Sequence, residues 1–199
     1  MGLDSYSIQY KFILPNSVKH SSYEYQKLFR ALYGYTQNVS KSNGKTYSYH
    51  RRGVLSKSPY LRPGKNAVII PASIFPDLVN FFKSGKNPCH YWRSKGDWKA
   101  VYYVNEKKVP EKDAVPALEQ MLERYYLTMD GGDKRKLSSE MTFLADKARK
   151  GEKVNDYSKK VVLEEASNLI NNDWFKKSFV HSEKLTSFKK DYIDLRNHQ

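Results

Sequence analysis

The chain reads as an α+β protein: a β-rich N-terminal half with two hairpins and two short helices, followed by a C-terminal helical bundle. Three observations predict this. Apolar residues alternate with a period near two through much of residues 1–110, the period moves towards 3.6 beyond Pro110, and Pro, Gly and Asn punctuate the first half at short intervals. The expected organisation is a basic, Tyr-rich α+β region over 1–110 and a helical region over 111–199.

Residues 6–14, YSIQYKFIL, alternate as a strand that Pro15-Asn16 ends. Ser21 or Ser22 then caps a helix with Glu24 in its first turn; Tyr25, Leu28, Phe29 and Leu32 form one apolar stripe up to Gly34. Residues 36–55 read as a hairpin, because Asn43-Gly44 signals a two-residue turn in which both positions need positive φ. Its returning strand puts Lys45, Tyr47, Tyr49 and Arg51 on one face and Thr46, Ser48, His50 and Arg52 on the other.

Residues 59–65 read as a turn-rich connection, and Ala67 to Ile70 as a short strand closed by Pro71. Residues 72–83 form a helix with Ile74, Leu78, Phe81 and Phe82 as its stripe, Pro76 confined to the first turn and Gly85 at its end. A second hairpin follows, from CHYWR through SKGD to WKAVYYV, carrying Trp92, Trp98, Val101 and Tyr103.

Beyond Pro110, residues 112–128, 136–150 and 157–172 each show a helical stripe; Leu118, Met121 and Leu122 mark the first, Met141 and Leu144 the second, Val162 and Leu169 the third. Short connections at 130–133 and 151–153 favour antiparallel neighbours in a bundle. Residues 173–196 add one broken helix or two short ones. This half either completes one core with the β-rich half or leaves Trp174, Phe175, Phe179 and Phe188 exposed as a stripe for dimerisation or a protein partner.

Charge follows the same division. The first 110 residues hold 18 Lys and Arg against 5 Asp and Glu, the remainder 17 against 16, and 12 of the 16 Tyr fall in the basic part. Cations neutralise phosphates and release counterions, while Tyr offers a hydroxyl or a flat ring, so the pairing points to a nucleic acid as partner. No apolar run approaches the ~20 residues that cross a bilayer, and the N-terminal residues lack a signal-peptide pattern. Cys89 is the only cysteine, so no intrachain disulfide and no cysteine-rich zinc site can form. A soluble, intracellular protein is expected.

The first candidate site is the basic hairpin: Lys41, Lys45, Arg51 and Arg52 on a two-stranded ribbon, with Tyr47 and Tyr49 as hydroxyl or stacking groups and the preceding helix as a companion element. Arg62 and Lys65 extend it through the next turn, and Arg93, Lys95 and Lys99 through the second hairpin. A nuclease pattern competes in outline. Asp77 after Pro76, then Glu106 and Lys108, fits P-D followed by E-x-K, but Asp77 falls in a helix's first turn, where a carboxylate serves the helix dipole. His90–Arg93 forms an H-x-x-R in a strand pattern and reads as hairpin structure. No G-x-G-x-x-G, phosphate-binding loop or nucleophile elbow is present, so neither a cofactor nor a metal is expected. The resulting expectation is a non-enzymatic nucleic-acid-binding protein with duplex DNA favoured over RNA; an RNA-binding or ribosome-associated protein, a metal-dependent nuclease and a protein-interaction factor are the alternatives.

Overall fold

A computed structural model describes residues 2–19, 21–42, 44–86, 97–128 and 134–198. The protein is α+β, with strands and hairpins concentrated N-terminally and helices C-terminally. The chain divides into two compact units: Ser5–Lys107, and Met1–Asp4 together with Lys108–Gln199.

The unit Ser5–Lys107 is built on a four-stranded sheet of order β4-β5-β1-β6, from β1 (Gly2–Ile13), β4 (Leu61–Gly64), β5 (Ala67–Pro71) and β6 (Lys99–Pro110). β5 runs antiparallel to β1 with Tyr6 opposite Ile70 and Ile8 opposite Val68. Alternation sends Ile8, Tyr10 and Phe12 into the core, where they meet Leu28 and Leu32 of α1 (Tyr23–Tyr33) and Leu78, Phe81 and Phe82 of α2 (Phe75–Ser84). Phe12 is the hub. Its ring stands edge-on to Phe29 and to Trp98, each with centroids 5.5 Å away. Both helices therefore cover one face of the sheet.

Local signals explain both helices. The Ser22 side chain accepts from the Tyr25 backbone N–H at 3.3 Å, and Gly34 ends α1 at φ +78°. Pro76 occupies the first turn of α2, where its missing N–H costs nothing, and Gly85 closes the helix in the left-handed region. A short 3₁₀ turn, Ala72–Ile74, leads into it.

Two expectations change. Residues 61–64 are not a simple turn but an edge strand, pairing Leu61 with Ile69 and Gly64 with Ala67 across a bulge. An edge position tolerates Pro63 because a residue without an N–H loses nothing on the solvent side. β1 also begins at Gly2, four residues before the alternation is legible. Of the expected second hairpin, CHYWR lies outside the described residues, while WKAVYYV falls largely within β6.

In the other unit, α3 (Glu111–Arg124), α4 (Leu137–Arg149), α5 (Asp156–Ile170), α6 (Asp173–Ser178) and α7 (Glu183–Asn197) surround a core of their own, with Leu118, Met121, Met141, Leu144, Val162 and Leu185 buried. Asn155, Asn172 and Ser182 cap α5, α6 and α7 by accepting from the backbone N–H of Ser158, Trp174 and Leu185. A small antiparallel pair, β7 (Tyr126–Thr128) and β8 (Lys134–Lys136), replaces the end of the expected first helix. The alternative of an exposed aromatic stripe is not met: Trp174 and Phe175 are inaccessible, Phe188 is buried, and Phe179 stacks on Phe175 at 5.9 Å. No helix among the described residues is long and apolar enough to cross a membrane.

Candidate nucleic-acid interface

The remaining strands, β2 (Tyr35–Ser40) and β3 (Thr46–Arg51), make a separate antiparallel ribbon that starts where α1 ends. Its register pairs Tyr35 with Arg51 and Ser40 with Thr46. The Lys41 N–H continues the ladder to the Lys45 carbonyl at 2.9 Å, and the Gly44 N–H returns to the Lys41 carbonyl at 3.0 Å. Three residues thus separate the last paired positions, not two, and Gly44 closes the loop at φ +74°.

The base of the ribbon is held by the chain that follows it. Val54 and Leu55 donate their backbone N–H groups to the Ala31 and Leu32 carbonyls, both at 2.9 Å, and the Ser56 hydroxyl donates to the Tyr33 carbonyl at 3.2 Å while accepting from the Gly53 N–H at 2.8 Å. Carbonyls that a helix leaves without intrahelical partners are satisfied here by the returning strand, so the ribbon and α1 form one construction.

Neither face of the ribbon is buried in a core. One face is a ladder of small polar groups: Thr36 bonds His50 Nδ1 at 3.2 Å, the Ser48 hydroxyl donates to Asn38 Oδ1 at 2.7 Å, and Ser40 bonds Thr46 at 3.1 Å. The opposite face alternates cations with tyrosine rings. Lys41 lies 4.7 Å over Tyr47, Arg51 lies 5.9 Å from the Tyr49 ring, and Arg30 of α1 sits 5.0 Å over Tyr35 and 5.6 Å from Tyr23. These contacts hold a long side chain over a flat face without occupying its polar hydrogens, each contributing about 0.5–1 kcal/mol at exposed positions. Arg30 also donates from Nη2 to Gln26 Oε1 at 3.5 Å.

Arg62 repeats the arrangement on β4. Its guanidinium lies 4.6 Å over the Tyr33 ring, which packs against Tyr60 at 5.3 Å and shares a 2.8 Å hydroxyl bond with Tyr10. Burial pushes the Tyr10 and Tyr33 hydroxyls above the ordinary phenol range, so this pair stays protonated and neutral beside the Arg62 charge.

Lys41, Lys45, Arg51, Tyr47 and Tyr49 therefore share one face of the ribbon, Arg52 follows at its base half-buried, Arg62 and Lys99 are exposed on the sheet, and Lys65 is exposed in the β4–β5 turn. Arg93 and Lys95 lie outside the described residues. Arg30 was not singled out from the sequence, although one signal bears on the whole region: residues 25–76 contain nine Lys and Arg and no Asp or Glu.

In the helical unit Lys147 lies 5.0 Å over the Phe143 ring and Lys189 3.7 Å over the Phe179 ring, but other cations engage carboxylates. There Arg149 engages Asp146, Asp191 and Asp194, Lys136 and Lys184 both hold Glu123, and Arg135 bonds Glu140 at 3.0 Å. Lys108 of the nuclease-like pattern pairs with Asp4, which lowers the Asp4 pKa; Asp77 lies in the first turn of α2 and Glu106 is exposed on β6. Among the described residues no group of three His, Cys, Asp or Glu is placed to hold a metal ion. Compared with protein-family models, curated proteins and solved structures, the chain matches none.

Proposed function

We propose that this is an intracellular, non-enzymatic nucleic-acid-binding protein, whose unit Ser5–Lys107 contacts duplex phosphates through the cation–tyrosine face of the β2–β3 ribbon. The observation that carries the reading is the contrast between the units. In the helical unit Arg135, Lys136, Arg149 and Lys184 are engaged by carboxylates and the two cation–ring contacts, Lys147 on Phe143 and Lys189 on Phe179, use phenylalanine, whereas Lys41, Arg51, Arg30 and Arg62 rest on tyrosine rings in a segment devoid of carboxylates. An anion approaching this face meets hydrogen-bond donors already positioned and no competing negative charge, which lowers the ordering cost of binding.

Dimensions suit a duplex. Six paired positions span about 20 Å, and a two-stranded ribbon fits a major groove about 12 Å wide. Exposure of both ribbon faces supports entry into a groove or a path along its phosphates, since a two-stranded hairpin with no core of its own is only marginally stable in isolation.

The test is binding of the full chain to a labelled duplex, a single strand and a structured RNA at matched salt, with Lys41→Ala/Arg51→Ala in parallel. Expected is duplex binding that the double variant weakens to a similar degree on unrelated sequences, because phosphate contacts carry no sequence information. Preference for the structured RNA would move the ligand to an A-form helix. Absence of binding to all three at low salt would remove the nucleic-acid reading.

A further inference from the structure

The β4-β5-β1-β6 sheet has a second face. Residues of β1 and β6 that alternate with the core positions point away from α1 and α2, and from Gln9 to Ile13 and Lys99 to Asn105 they are exposed. An antiparallel sheet facing water ordinarily presents polar side chains there. This one presents Tyr103 at 71% exposure, Ile13 at 47% and Val101 at 45%. Single exposed apolar residues need no explanation, but these three line one groove of about 520 Å³ with Lys11, Lys65 and Gln9.

Charge indicates what the groove takes. The exposed positions Gln9, Lys11, Ile13, Lys99, Val101, Tyr103 and Asn105 include two lysines and no carboxylate, and Lys65 adds a third cation from the β4–β5 turn. A peptide ligand would be served by mixed charge or by backbone pairing at a strand edge. A flat aromatic ring beside apolar side chains, in a groove whose charged lining residues are all cations, suits a planar base joined to phosphate. Duplex DNA offers no such base, because its rings are already stacked.

We infer that the open face of this sheet is a second site, distinct from the ribbon, that binds unpaired nucleotides of a single strand, with Tyr103 as the stacking platform and Lys11 and Lys65 as phosphate contacts. The inference rests on the reading of this unit as a nucleic-acid binder. It assigns two ligand forms to two surfaces: paired backbone to the ribbon, unpaired bases to the sheet. Stacking tolerates every base, so little sequence preference is expected at the sheet.

The experiment measures binding of the full chain to a short labelled oligothymidylate and to a blunt duplex, with Tyr103→Ala, Tyr103→Phe and Lys11→Ala. Tyr103 is largely exposed, so its replacement leaves the core intact. Tyr103→Ala should weaken the single strand about tenfold and leave the duplex unchanged, while Tyr103→Phe, which keeps the ring, should bind as the parent does. Lys11→Ala should reduce the single-strand salt slope by about 0.7. Single-strand affinity that survives Tyr103→Ala would overturn the inference. So would a protein that binds duplex but no single strand, an outcome that leaves the ribbon reading standing. Binding to neither would remove both.

Discussion

Gly34 and Gly53 meet backbone to backbone at the foot of the ribbon. A Cβ on Gly34 would lie 2.7 Å from the Arg51 carbonyl oxygen and 3.0 Å from the Gly53 nitrogen, and a Cβ on Gly53 would lie 2.7 Å from the Leu32 carbonyl. This close approach lets Val54 and Leu55 reach the C-terminal carbonyls of α1, and so fixes the ribbon to the helix that carries Arg30. The cation–tyrosine face thus depends on two residues without side chains.

Gly53→Ala should therefore destabilise the protein by about 3 kcal/mol, because the obstacle is backbone and cannot rotate away. Gly44→Ala, whose added Cβ meets nothing within 4 Å but whose φ is +74°, should cost only about 1 kcal/mol. Thermal unfolding of the two variants checks the order; equal losses would mean that the Gly34–Gly53 contact does not anchor the ribbon.

The two ribbon faces should separate in binding. Lys41→Ala/Arg51→Ala should weaken duplex affinity, whereas Ser48→Ala, which removes the hydroxyl bonded to Asn38 on the other face, should leave it within about twofold. A matched pair of duplex titrations decides this. A larger loss for Ser48→Ala would place the ligand on the polar ladder.

In the helical unit, Arg149→Ala should cost about 3 kcal/mol, since it leaves the buried Asp191 carboxylate with Thr142 as its remaining described hydrogen-bond partner. Lys184→Ala breaks an exposed pair with Glu123 and should cost less than about 1 kcal/mol. Denaturant midpoints of the two variants provide the comparison.

Acid sensitivity has an identifiable contributor. Hydrogen bonds from Lys136 and Lys184 hold the Glu123 carboxyl at about 2, below its ordinary 4.5. A group whose folded pKa is depressed contributes stability that is present above about pH 4.5 and lost as pH falls towards 2. All three side chains are substantially exposed, so the contribution is about 0–1 kcal/mol. Glu123→Gln should unfold slightly earlier than the parent at neutral pH, with the gap closing across that window. A gap that does not depend on pH would assign the difference to packing instead.

Much of this fold was legible because local chemistry and tertiary need coincide. Ser22, Gly34, Pro76 and Gly85 bound α1 and α2 where the caps predict, and the stripe Leu28 and Leu32 is the face buried on the sheet. The side assignment along β3 also holds, since period two leaves no freedom once the register is set. Where a residue's meaning depended on its neighbours in space, the sequence was silent. Pro63-Gly64 has turn composition, yet pairing with β5 makes it an edge strand. Val101 and Tyr103 read like any apolar strand positions, and only the placement of α1 and α2 on the opposite face exposes them. Trp174 and Phe188 have the spacing of a surface stripe, but packing among the helices buries them. At the candidate interface, the excess of cations was visible in composition, while their seating on Tyr33, Tyr35, Tyr47 and Tyr49 required the register and the close approach of Gly34 to Gly53.

The salt dependence of duplex binding tests the central claim most directly. Phosphate contacts by Lys41, Arg51, Arg30 and Arg62 predict a plot of log K against log salt with a slope of about −4, falling in magnitude by about 2 in Lys41→Ala/Arg51→Ala. A slope near zero, or one that the double variant leaves unchanged, would contradict the assignment of the ribbon face to phosphates.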